Sequence, residues 1–202
     1  MGFSLSWAAL KGGTLDMICD ATGLVSTGKF EEIAESDFVA AALPTFWYLF
    51  LWNGDEIPDE VLKRLSAYGK VVSCYVEDHV MLTSASGWSG EKRVWGVEHY
   101  GGEKGILHLE AEGNLPDEFG RIRDKFFAQQ KSAGSAHADV DYVYEIPVEL
   151  ARALTGFRHD QDMPGMGMQP YEVLEPPQEY KQQIAFQSAW SRMVRRERND
   201  AY

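Results

Sequence analysis

The sequence predicts an α+β protein, a mainly antiparallel sheet with helices packed on one face, followed by a C-terminal extended arm and helix. Three observations lead there. At three places an apolar strand pattern passes through a glycine into a helical stripe. Strand patterns joined by glycine-rich turns fill the middle of the chain. After residue 160 all periodicity gives way to Met, Gly and Pro.

The first strand is FSLSWAAL, where Phe3, Leu5, Trp7 and Ala9 alternate with Ser4, Ser6 and Ala8 in the period-two pattern of a half-buried strand. Gly12 and Gly13 turn the chain into TLDMICDAT, with Thr14 as N-cap and Gly23 as the residue past the helix end. The second unit is the strand FWYLFLWN, residues 46–53, then Gly54 and the helix IPDEVLKRLSA. Pro58 there is expected at the first helical position, with acids in the first turn. Next comes a meander of three strands, 71–85, 91–100 and 105–112, joined by SGWSG and GGEKG. A third helix, LPDEFGRIRDKFFAQQ, places Phe119, Ile122 and Phe126 on one stripe. A last strand is expected over ADVDYVYE, residues 138–145, running into the helix PVELARALT. Gly156 closes that helix in the left-handed conformation, and Phe157 is expected to fold back on Leu154 or an apolar neighbour of the last turn.

These elements make one domain over residues 1–160. Residues 161–177 are expected to cross its surface as a strap without regular structure, since Met163, Met166 and Met168 lie among glycines and prolines. Residues 178–202 have a helical pattern in which Phe186 and Trp190 share a face, followed by Arg192, Arg195, Arg196 and Arg198. A short helix with an aromatic stripe must bury it. The expectation is docking on the acidic domain, in the same chain or across a dimer.

The formal net charge is −12, and 24 acidic against 13 basic residues fall before Phe157. Such a surface repels phosphate backbones and anionic lipid, so neither nucleic acid nor membrane is an expected partner. The two cysteines, Cys19 and Cys74, lie on apolar faces and read as buried thiols in a reducing compartment, hence a cytoplasmic protein. There is no Gly-rich phosphate loop, no G-x-S-x-G, no C-x-x-C and no H-E-x-x-H, and no cofactor is expected.

Three groups of residues carry chemistry of their own. On the polar face of the meander, His79, Glu98, His108 and Glu110, with Glu77 nearby, would offer mixed N and O ligands to a divalent metal. Cross-strand His and Glu pairs on a solvated face account for the same letters. Asp78 stands where the alternation asks for a hydrophobe. With His79 it is a candidate catalytic acid or base, or else a strand end. Arg158, His159 and Asp160 follow the last helix, and an Arg–carboxylate fork beside a neutral His suits anion binding or a latch fixing where the arm leaves the domain.

The segments GFSLSWAALKG, FWYLFLWN, CYVEDHVM and above all IPVELARALTGFRHD resemble a group of small acidic bacterial proteins of similar length. The likeness spans most of residues 1–160 and stops at the arm. It implies a self-contained bacterial domain and no activity. Together these readings lead to an expected function: a non-catalytic, protein-binding protein of immunity or accessory type, acting through its acidic surface. The alternatives are a small-molecule or metal-dependent enzyme using the His/Glu face, and a structural homo-oligomer subunit.

Overall fold

The computed structural model describes residues 2–178. In chain order its elements are β1 (Ser4–Lys11), α1 (Leu15–Thr22), β2 (Val25–Glu31), β3 (Phe38–Ala42), β4 (Trp47–Asn53), α2 (Asp59–Tyr68), β5 (Val71–Glu77), β6 (Leu82–Ser89), β7 (Lys92–Tyr100), the single turn α3 (Gly101–Lys104), β8 (Glu110–Gly113), α4 (Glu118–Ser132), α5 (Glu145–Thr155) and β9 (Tyr171–Glu175). The strands form one nine-stranded sheet in the order β2-β9-β3-β4-β1-β5-β6-β7-β8, and every pairing is antiparallel.

β1 lies at the centre, and its period-two pattern feeds two layers. Leu5, Trp7 and Ala9 enter a core with Val39, Leu51, Cys74, Val97 and the stripes of α4 (Phe119, Ile122, Phe126) and α5 (Ile146, Leu150). Ala8 and Leu10 enter the opposite core with Phe38, Phe50, Trp52 and Leu174, under Ile18 and Ala21 of α1 and Val61, Leu62 and Leu65 of α2. The α+β class is as expected, but the helices cover both faces of the sheet. Alternation of large and small residues in β1 suits burial on both faces, because a small residue such as Ala8 packs as closely under a helix as a larger one. Cys19 and Cys74 are free thiols, and they sit against opposite faces.

The helix ends follow the expected chemistry. Thr14 accepts the Met17 N–H at 3.4 Å, and Gly23 (φ 75°) and Gly156 (φ 84°) close α1 and α5 by donating to Cys19 O and Arg152 O. Pro58 is the residue before the first turn of α2, one place earlier than expected. Phe157 packs edge-on against Trp7, ring centroids 5.3 Å apart, so it anchors the end of α5 to the central strand.

Four further expectations change. Residues 71–85 are two strands of a hairpin whose tip is 78–81. Only Glu110–Gly113 of the segment 105–112 is strand, and Leu107 is exposed. Residues 138–144 form no strand, because Val143 is buried against the helical layer and Tyr142 and Tyr144 pack on it without sheet partners. The segment 161–177 is not a bare strap, since its Tyr171–Glu175 is β9, inserted between β2 and β3 with Val173 and Leu174 buried. Phe186, Trp190 and the tail pattern lie outside the described residues.

Candidate functional site

One row of paired residues crosses the sheet from its apolar to its polar end: Leu174, Phe38, Trp52, Ser6, Tyr75, Ser84, Glu98 and Glu110. The first three lie in the core beneath α1 and α2. Beyond Ser6, among the described residues, the helices no longer cover the sheet fully, and the side chains turn polar. The neighbouring rows add Glu77, Leu82 and Tyr100 on one side and Ser73, Ser86, Gly96 and Glu112 on the other. Tyr75, Glu77, Ser84, Glu98 and Tyr100 are half-buried, and Glu110 and Glu112 are exposed. This is a wet, acidic half-face bearing two tyrosines. Where α2 begins it deepens into a small polar cleft of about 80 Å³, with Ser6, Ser73, Ser84, Ser86 and Arg93 among its lining.

The two cations on this surface are already engaged. Arg93 lies over Gly96, where an added Cβ would come within 1.9 Å of the guanidinium, and reaches Glu112 at 3.4 Å. Lys104 sits 2.9 Å from Glu110 and 3.5 Å from Glu98. Its hydrogen bond, with help from His108, holds the Glu110 carboxyl down at about 2.

Glu98, His108 and Glu110 present ligand atoms within 4.8 Å of one another. The hydrogen bonds oppose a metal there. The Tyr100 N–H donates to His108 Nδ1 at 2.8 Å, so the proton of a neutral ring belongs on Nε2, where it points to Glu110 at 3.0 Å. A metal on Nε2 would need that proton moved to Nδ1, against the Tyr100 N–H, while Lys104 holds the cation's place between the carboxylates. His79 does not join the group. It stands at the hairpin tip, with Nδ1 2.7 Å from Glu77.

Asp78 is also at that tip, which accounts for a carboxylate breaking the alternation. Its Oδ2 accepts the Phe3 N–H at 2.7 Å, and its Oδ1 accepts the Tyr144 hydroxyl. Burial, then the bond to Asp78, pushes the Tyr144 phenol up. Both oxygens of Asp78 are thus spent on tying the hairpin to β1 and to the start of α5. Such an arrangement is architectural.

Arg158 forks onto Asp160, with Nε to Oδ1 at 2.6 Å, and reaches back to Glu145 at 2.8 Å and Glu149 at 3.6 Å on α5. This is the latch, with no free guanidinium edge for an anion. His159 stacks edge-on against Phe3 with centroids 4.8 Å apart, and its buried Nδ1 has no partner among the described residues.

His99 is fully buried, its ring pointing into the protein from β7. Nδ1 lies 2.6 Å from His108 O and Nε2 2.9 Å from Asp141, so one ring fixes both irregular segments that follow β7 and α4. Lys104 and Tyr100 were missed as members of the polar face. Gly96 carried a signal for Arg93, since an isolated glycine inside a strand marks a close approach from above.

No family model, curated protein or solved structure matches the chain. No helix among the described residues is long and apolar enough to cross a membrane.

Proposed function

We propose that this protein is a non-catalytic binding protein, of immunity or accessory type, that holds a basic protein partner on the uncovered half of its sheet. The observation that supports this is the surface around Tyr75 and Tyr100. Two half-buried aromatic rings stand among Glu77, Glu98, Glu110 and Glu112, while the nearby cations Arg93 and Lys104 are paired with glutamates of the same face. Aromatic rings supply contact area, and four carboxylates against two paired cations leave the face net negative, the charge complementarity that steers and selects a partner. The net charge of −12 favours a cationic one. The free thiols Cys19 and Cys74 fit a reducing, cytoplasmic setting. A likeness in class to small acidic bacterial proteins belongs to the same reading.

The test is retention from a bacterial lysate by the immobilised full chain, run beside a Glu98→Lys/Glu112→Lys variant. A partner retained by the wild type at low salt, released at high salt and absent from the variant supports the reading. Equal retention by both proteins, or none by either, overturns it.

A further inference from the structure

On the opposite face of the sheet, where β1 finishes and β5 begins, a cavity of about 370 Å³ opens beneath the last turn of α5 and the segment leading into α4. Its walls include the indoles of Trp47 and Trp95, which belong to the core of this face, with Val72 and Leu154 beside them and the exposed Lys11 and Lys70 at the mouth. The walls are fixed. Trp95 lies across its strand partner Gly87, where an added Cβ would fall 2.0 Å from the indole nitrogen, so only glycine leaves room for the ring.

The mouth is cationic on a chain that is otherwise strongly acidic. The Lys11 N–H donates to Lys70 O at 2.9 Å, so the two backbones run side by side and both side chains line the same opening. The Lys11 ammonium stands 5.8 Å from the centre of the Trp47 ring. Among the described residues, neither lysine forms an ion pair with a carboxylate of the protein.

We infer that this cavity binds a small aromatic carboxylate, with the ring against the indoles of Trp47 and Trp95 and the carboxylate at Lys11 and Lys70. Flat apolar walls select a planar ring and the paired ammoniums select an anion. The volume is at the small end of the roughly 300–1,000 Å³ found for ligand pockets, which suits about two fused rings. The site lies on the opposite face of the sheet from the acidic half-face, and the inference does not rest on the function proposed for that surface.

Calorimetric titration of the full chain with 2-naphthoate, and with 2-naphthamide as its neutral counterpart, tests the inference. The expected result is saturable one-to-one binding of the carboxylate, about fivefold to tenfold tighter than the amide, from two partly exposed charge contacts. In a Lys11→Ala/Lys70→Ala variant, whose changes are at exposed positions and spare the core, that preference is lost. The Glu98→Lys/Glu112→Lys variant should bind naphthoate at least as well as the wild type. Absence of saturable binding, equal affinity for acid and amide, or undiminished naphthoate binding in the double lysine variant would each overturn it.

Discussion

His159 shows how one side chain sets a pH limit. Burial lowers its pKa from the ordinary 6.5; the carboxylates of Asp160, Asp78 and Glu145 work against this and Arg158 works with it. A base whose folded pKa lies below its unfolded one binds its proton first in the unfolded chain. Stability therefore falls as pH drops below about 6.5, by up to about 1.4 kcal/mol for each unit of depression. The melting temperature should decline between pH 7 and pH 5. His159→Gln, which keeps polarity without titrating, should flatten that decline in a thermal scan across the pH series, and an unchanged slope would place its origin elsewhere. By contrast, Arg158, Asp160 and Asp78 are held in hydrogen bonds whose partners lie on α5, β1 and the segment before α5. Their clustering around one helix exit was readable from Arg158-His159-Asp160 alone. That Asp78 joins them was not, because the hairpin tip that delivers it looked like the middle of a strand.

Among the elements, β9 has the largest consequence. Pairing of β2 within the sheet runs through β9 alone, so a chain ended after Pro170 loses the sheet connection of β2 and uncovers the edge of β3. Burial of Val173 and Leu174 alone contributes about 4 kcal/mol, a large share of the stability of a domain this size. The prediction is that the chain ended at 170 melts far below the chain ended at 178 and aggregates. Equal melting of the two truncations would mean that β9 is dispensable. β1, β4 and the helices α1, α2, α4 and α5 were legible because each carries its own periodicity and end signals. β2 is exposed on both sides and shows no alternation, β3 reads FVAAA with alanines that favour helix, and β9 is short and follows a Met, Gly and Pro run. Their pairing is written across the chain and not within any one segment. The same holds for the polar half-face. Period two turned Glu98 and Glu110 outward, but the α3 turn that brings Lys104 between them had no local signature.

Across the whole molecule, charge and acid stability are linked. The Glu149 carboxyl is held low chiefly by its bonds to Arg152, and that of Asp160 is brought low by Arg158 against the opposing effect of burial. Carboxyls depressed in the folded state contribute stability that is present above about pH 4.5 and lost on further acidification. The urea midpoint should therefore fall steeply from pH 5 towards pH 2, and Glu149→Gln should start lower and fall less. A parallel fall in the variant would remove Glu149 from the account. The order of the strands also has a meaning in time. Thr27 bonds Val173 across 146 residues, so the place between β2 and β3 is prepared early in synthesis and filled near its end. At about 5–20 residues per second the ribosome leaves that place empty for about 7 to 30 s. For that interval every newly made copy presents two unpaired strand edges, and any other nascent chain with a free strand can compete for the position that β9 will take.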